Sequence, residues 1–305
     1  MAVREHQAGA VTVGSRLRAH VALTKPRIVE LLLATAVPTM FLAADGLPPL
    51  VPLVGVLVGG TLAAGSANTF NSVYDRDIDA LMARTYHRPA ALGTVSARAG
   101  VVQGVVLGIL SAVVLLLTAN VLAAALGAVA IAFYAIVYTM ILKRRTPQNI
   151  VWGGAAGCMP VLIAWAAVTG SLSWTPVVLF LIVFFWTPPH YWPLAMRFKD
   201  DYSAAGIPML PVVRTPQQVA ASIVRYSWVM VAVSLALIPL APMGWVYAVG
   251  AVILGVGFLV LAYQLRSAVR DVAADPGARA MRLFHGSITY LALLFLLIAV
   301  EPFVP

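Results

Sequence analysis

Nine stretches of this chain are predominantly apolar, near positions 28–44, 51–74, 99–118, 121–142, 150–168, 174–196, 222–241, 244–265 and 283–303. Each is about as long as the roughly 20 helical residues that cross the hydrocarbon of a bilayer. Lipid supplies no partners for backbone N–H and C=O groups, so only helices and closed barrels survive in it. Barrel strands alternate in polarity over about ten residues, and these runs do not alternate. The expected fold class is therefore all-α, a polytopic membrane protein with about nine transmembrane helices. Composition excludes the alternative of a soluble domain. With 61% hydrophobic and 10% charged residues, the chain has far more apolar sequence than a water-soluble interior can take up.

The basic residues test the span count. Arg4, Arg16, Arg18, Lys25 and Arg27 precede the first run; Arg76, Arg84, Arg88 and Arg98 fall between the second and third. Lys143, Arg144 and Arg145 separate the fourth and fifth, while Arg197, Lys199, Arg214 and Arg225 follow the sixth. Arg266, Arg270, Arg279 and Arg282 lie between the eighth and ninth, which completes all 20 Lys and Arg residues. The alternate loops near 45–50, 119–120, 169–173 and 242–243, and the C-terminus, carry none. A wrong count would scatter the charges. The positive-inside rule then predicts a cytoplasmic N-terminus and an outside C-terminus in the cell membrane. It also accounts for the net charge of +9 without nucleic acid.

The first run is longer than a signal-peptide core and begins well into the chain, so it reads as an uncleaved helix. The expectation is one transmembrane domain over 1–305, with 1–27 a cytoplasmic N-terminal segment. The two longest polar loops, about 75–98 and 197–221, follow the second and sixth spans. That spacing outlines two four-helix halves and a ninth helix. The lone Cys158 excludes a disulfide framework and a Cys-ligated metal site, and reads as a packed thiol.

The second span ends Asn68-Thr-Phe-Asn71-Ser-Val-Tyr-Asp75-Arg-Asp-Ile-Asp79. On a helix Asn71, Asp75 and Asp79 share one face over about 12 Å. Three oxygen-bearing side chains at a membrane boundary suit a hard cation, and Mg²⁺ typically takes one or two carboxylates plus substrate phosphates. An ordinary helix end in the headgroup layer would carry the same residue types. Asp77 points off this stripe and reads as solvated. Arg84, Thr85, His87 and Arg88 follow at once, and guanidinium groups bind phosphate bidentately. A second basic cluster, Lys143-Arg144-Arg145-Thr146, opens another cytoplasmic loop; phosphate binding and simple topology both explain it.

The sixth span ends Trp186-Thr-Pro188-Pro189-His190-Tyr-Trp192-Pro193, then Arg197-Phe-Lys199-Asp200-Asp201-Tyr202. Paired prolines are expected to interrupt the helix and free backbone carbonyls. His190 beside them is an intramembrane ionisable group, either functional or a satisfied interior histidine. Asp200 and Asp201 would meet a second metal or a lysine, or stand solvated. His6, His20 and His285 have no supporting neighbours and read as surface residues, and Glu30 is expected to snorkel or pair with a nearby cation.

At these residues the chain resembles the UbiA-type intramembrane prenyltransferases. Asn71, Asp75 and Asp79 match their first Asn-x-x-x-Asp-x-x-x-Asp signature. Further matching blocks are Leu23-Thr-Lys25-Pro26-Arg27, Met82-x-Arg84-Thr85-x-x-Arg88-Pro89 and Tyr138 through Leu142-Lys143-Arg144-Arg145-Thr146-Pro147-Gln148-Asn149. Trp186-Thr-Pro188-Pro189-His190 and Asp201-Tyr202-x-x-Ala205-Gly206-Ile207-Pro208-Met209-Leu210-Pro211 are similar to the haem-modifying branch. One departure stands out. Many members carry a second Asp-x-x-x-Asp after the sixth span, but here Asp200 and Asp201 are adjacent, with Ala204 and Ala205 four residues on.

The resemblance implies a helical bundle around a central cavity. It implies transfer of a farnesyl group from farnesyl diphosphate to a vinyl group of haem B, giving haem O, with haem A synthase as a downstream partner. On that likeness Asn71, Asp75 and Asp79 would hold Mg²⁺, with Arg84, Arg88 and Lys199 completing the catalytic set. Asn68, Lys143, Arg144, Asn149, His190, Asp200 and Asp201 would bind substrate, His190 facing the haem. Lys199 would neutralise phosphate charge in place of a second metal. A prenyltransferase acting on an aromatic quinone precursor, or a membrane transporter, are the alternatives; transport would place polar groups nearer mid-bilayer.

Overall fold

The computed structural model describes residues 13–241, 243–271 and 274–304; Arg4 and His6 lie outside them. A short α1 (Val13–Leu23) precedes α2 (Pro26–Ala44), α3 (Leu50–Tyr74), the single turn α4 (Arg76–Asp79) and α5 (Ala97–Thr118). Helix α6 (Val121–Ala132) continues as a π-helical segment, Phe133–Leu142. Then come α7 (Asn149–Thr169), α8 (Trp174–Arg197), the short α9 (Lys199–Ala204) and α10 (Leu210–Val213). Helices α11 (Pro216–Leu240), α12 (Trp245–Ala268) and α13 (Pro276–Val300) complete the chain, with a 3₁₀ turn at Glu301–Phe303. Among the described residues nine helices are long and apolar enough to cross a membrane, as the sequence predicts.

Successive spanning helices pack side by side and α13 returns to α2, closing a ring. Helices α2 and α7, and α8 and α13, also pack across it. Leu117, Val121, Ile253 and Leu296 point outward and exposed, which is costly in water and neutral in lipid. Cys158 is buried, its thiol donating to the Gly154 carbonyl at 3.1 Å. His20 is not a bare surface residue: its Nδ1 meets Gln103 Oε1 at 2.6 Å and ties α1 to α5. His285 is exposed, and its ring Nδ1 meets the Met281 carbonyl of its own helix at 2.8 Å. Glu30 is exposed and has no ion-pair partner among the described residues.

Two helices begin earlier than their apolar runs. Thr215 and Gln218 form a capping box ahead of α11, and Asp275 accepts from the Ala278 N–H ahead of α13; proline occupies the first turn of both. The basic residues Arg225, Arg279 and Arg282 are thereby part of the helices. The prolines of α8 do not break it. The helix runs through Pro188, Pro189 and Pro193, since each missing N–H frees only one carbonyl while α7, α11 and α13 brace the rod.

The packing that positions the site is between α3 and α5. Gly104 sits where a Cβ would lie 2.9 Å from the Phe70 ring. Ser66 Oγ donates to the Gly104 carbonyl and Ser111 Oγ to the Gly59 carbonyl, both at 2.7 Å. Small residues let helix backbones approach in lipid, where no hydrophobic force draws them together. The C-terminal half of α3 is thereby clamped. Gly104→Val should cost about 1–3 kcal/mol through overpacking, and Ser111→Ala only about 0.6 kcal/mol. Thermal unfolding in detergent checks this; a Gly104→Val protein that unfolds no earlier than Ser111→Ala would show that the contact is slack.

Candidate active site

Helix α3 stops at Tyr74, and Asp75 turns the chain into α4. The Asp75 N–H still donates to the Asn71 carbonyl at 2.9 Å and the Asp79 N–H to the Asp75 carbonyl at 2.8 Å. The one-face stripe of Asn71, Asp75 and Asp79 therefore survives the corner. Its setting differs from expectation. Asn71, Asp75 and Asp79 are not at a wet boundary but buried, Asp75 with 0% and Asp79 with 2% of its surface exposed.

Buried carboxylates require counter-charges, and they come from three other segments. Lys143 Nζ ion-pairs with Asp75 Oδ2, and Asn71 Nδ2 donates to the same oxygen at 2.7 Å. Arg88 donates to both oxygens of Asp79, at 3.0 and 2.8 Å. Lys25 Nζ donates to Asn71 Oδ1 at 2.5 Å, and Thr139 Oγ1 accepts from Asn71 Nδ2 at 3.1 Å. Lost hydration, with Arg88 and Lys143 close by, lowers the Lys25 ammonium pKa to about 7.

Lys25 and Thr139 are site residues the sequence reading missed. Lys25 stood in the matching block Leu23-Thr-Lys25-Pro26-Arg27 but was given no role in the site. It holds φ at +52°, a left-handed conformation seldom adopted by lysine, at the corner between α1 and α2. Thr139 reaches Asn71 because it lies in the π-helical segment; such segments re-aim side chains and recur at functional sites. Hydropathy has no signal for it.

Other expected residues divide. Asn68 lies one turn before Asn71, donating to the Thr24 carbonyl at 3.2 Å. The buried Asn149 donates to the Lys143 carbonyl at 3.1 Å and holds the basic loop, with its Oδ1 unpaired. Arg84 crosses to α9: its backbone N–H donates to Asp201 Oδ2 at 3.4 Å and its guanidinium to the Tyr202 hydroxyl at 3.3 Å. Arg144 bridges Asp77 and the cluster, making two 2.7 Å hydrogen bonds to Asp77 while its Nη2 lies 3.6 Å from Asp75 Oδ1. Asp77 is thus exposed but paired rather than merely solvated, and Arg144 holds its carboxyl down to about 2. Lys199 and Asp200 are exposed at the start of α9, and the structure joins neither to the cluster. A carboxylate and an ammonium on a single polar turn are satisfied by water, so folding does not draw them inward.

Below the cluster, α2, α3, α6 and α7 enclose an apolar cavity, whose polar wall residues are Asn68 and Tyr134. Across the bundle, the His190 ring stacks between Trp186 and Phe284, with centroids 4.1 and 4.7 Å away, and its Nδ1 meets Ser287 Oγ at 2.7 Å. Among the described residues no three His, Cys, Asp or Glu side chains form a ready metal cage. The donor set of Asn71, Asp75 and Asp79 still fits Mg²⁺, being hard oxygen and including Asp75 Oδ1, which is buried without a hydrogen-bond partner.

An anionic head held by these cations, with an apolar tail in the cavity, is the ligand this arrangement accepts. Fold and site thus define a membrane-embedded helical bundle with a charged chamber at one end of an apolar cavity. The UbiA prenyltransferase family model matches residues 32–299, and the chain belongs to that family. It is 54% identical over 290 residues to a relative from Streptomyces avermitilis named protoheme IX farnesyltransferase, covering 95% of each chain. Among solved structures, one described as digeranylgeranylglyceryl phosphate synthase superposes with a TM-score of 0.76 at 15% identity, covering 94% of this chain and 98% of that one. A UbiA homolog from Archaeoglobus fulgidus bound to GPP and Mg²⁺ gives 0.68 at 20% identity, covering 92% and 100%. These likenesses bear out the all-α, nine-span fold.

Removing Asp75 should be costly to the fold. Asp75→Ala strands Lys143 beside Lys25 and Arg88, and breaking such a buried pair costs on the order of 3 kcal/mol. The double variant Asp75→Ala/Lys143→Ala should regain much of the unfolding temperature but no turnover. An Asp75→Ala protein as heat-stable as the parent would contradict this account of the cluster.

Proposed function

We propose that this chain transfers a farnesyl group from farnesyl diphosphate to a vinyl carbon of haem B, giving haem O. The observation that carries the reading is a buried acid–base cluster that begins one helical turn along α3 from Asn68, a residue lining the apolar cavity. That placement matches an isoprenoid diphosphate, and the relatives' name supplies the acceptor.

Asp75, Asp79 and the Asn71 carboxamide would hold Mg²⁺, which when bound supplies positive charge to stabilise the departing diphosphate. Lys25, Lys143, Arg84 and Arg88 bind the diphosphate head. The C–O bond breaks with its electron pair going to diphosphate, and the apolar walls keep water from the allylic cation. The vinyl π electrons form the new C–C bond. Water then adds to the porphyrin-side carbon and loses a proton. The haem-facing role of His190 places the acceptor on the α8–α13 side. The chamber lies at the basic end of the bundle, so we place it, with the N-terminus, at the cytoplasmic face of the cell membrane.

Membranes containing the protein, supplied with haem B and farnesyl diphosphate, should yield extractable haem O, and a divalent-ion chelator should abolish the product. Prenylation of an aromatic acid without haem O would replace this reading with the quinone-precursor one. Reporters fused to the two termini should respond on opposite faces, the N-terminal one in the cytoplasm. Activity of the C-terminal reporter in the cytoplasm alone would refute the orientation.

A further inference from the structure

We infer that Ser287, on the last helix, is a positioning residue that sets the tautomer of His190 and leaves Nε2 as the one basic nitrogen available to the acceptor. The inference rests on the haem-facing reading of His190.

The direction of each hydrogen bond decides it. Ser287 Oγ lies 2.5 Å from the Phe284 carbonyl oxygen. A carbonyl only accepts, so the single hydroxyl proton of Ser287 is used there. Ser287 Oγ also lies 2.7 Å from His190 Nδ1. With its proton committed, Oγ can only accept from that nitrogen. His190 therefore carries its proton on Nδ1, and Nε2 holds the free lone pair. No described residue partners Nε2, and His190 is only half-buried, so that nitrogen is not sealed in the core.

The ring cannot readily turn to exchange its nitrogens. It is stacked at 14° to Trp186 on one face and at 25° to Phe284 on the other. Trp186 is itself pinned, its indole N–H donating to the Ser287 carbonyl at 2.8 Å. Phe284, Ser287 and Trp186 thus form one bracket around the imidazole. A histidine that ligates a metal usually donates its other N–H to a fixed acceptor, which sets the tautomer and the ring plane. Ser287 fills that place. On the haem-facing reading, the iron of the haem substrate is the group that Nε2 would meet.

Two measurements test the inference separately. In the haem-free protein labelled with ¹⁵N-histidine, His190 should show a protonated Nδ1 and a bare Nε2. In Ser287→Ala that preference should be lost, and in Ser287→Thr, which keeps the hydroxyl, it should be retained. A parent protein with the proton on Nε2 would overturn the inference outright. Haem B titration then reads affinity and the Soret band. Ser287→Ala should weaken haem binding by about ten-fold or more, the range found for partners behind a metal ligand. It should shift the band in the same sense as His190→Ala, and Ser287→Thr should restore both. Diphosphate binding should be unchanged in all three variants, showing that they fold. If His190→Ala alters the spectrum and Ser287→Ala does not, Ser287 has no positioning role. If His190→Ala leaves spectrum and affinity unaltered while the tautomer result holds, the haem-facing reading has failed, and the role inferred for Nε2 with it.

Discussion

Two buried carboxylates stand at the C-terminal end of a membrane-spanning helix, and much of the site follows from satisfying them. An uncompensated ion in such a place costs several kcal/mol even after relaxation. Asp75 and Asp79 therefore draw Lys143 from the loop after the π-helical segment and Arg88 from the loop after α4. Lys25 is held against Asn71 by the left-handed corner before α2. Segments far apart in sequence are brought to one point by charge rather than apolar contact. The same arrangement prepares the site chemically, because the cations that balance the acids are already gathered where a diphosphate would need them.

That convergence relies on packing that lipid does not drive. Helices in a bilayer gain nothing by hiding apolar surface from apolar surroundings, so contact quality decides which neighbours form. The α3–α5 contact achieves it with glycine against bulky side chains and serine hydroxyls on facing carbonyls. Holding α3 there fixes the depth of the acidic stripe. The π-helical segment of the α6 span performs the complementary adjustment, turning Thr139 and the start of the Lys143 loop toward it.

Two parts of the bundle use different physics. The α2–α7 side combines ion pairs with an apolar cavity, as befits an amphiphile with a charged head. The α8–α13 side presents a stacked, hydrogen-bonded imidazole with little charge nearby. Arg84 joins them at one end, reaching from the loop after α4 to Asp201 and Tyr202 of α9. Such a division suits a reaction in which one substrate must be held by charge and the other by an aromatic frame.

The span count, the helical class and the Asn71–Asp75–Asp79 stripe were legible in the sequence because they depend on local periodicity and on solvent preference. Arg88 was legible beside the acids because it follows Asp79 closely in sequence, whereas Lys143, 68 residues from Asp75, was legible only as part of a basic loop. Other features depend on what lies opposite, which no local pattern contains. The burial of Asp75, the engagement of Arg144 with Asp77, and the recruitment of Lys25 and Thr139 are of this kind. The continuity of α8 through Pro188 and Pro189 was likewise decided by its neighbours, since bracing by three helices outweighs a few lost backbone hydrogen bonds. Lys199 and Asp200 show the converse: residue types suited to a site remained in solvent, because no partner with an unmet charge called them in. Sequence determined which groups were available and roughly where along each span. Tertiary structure decided which charges meet, because pairing energies depend on distance and burial, and both are set by the whole bundle.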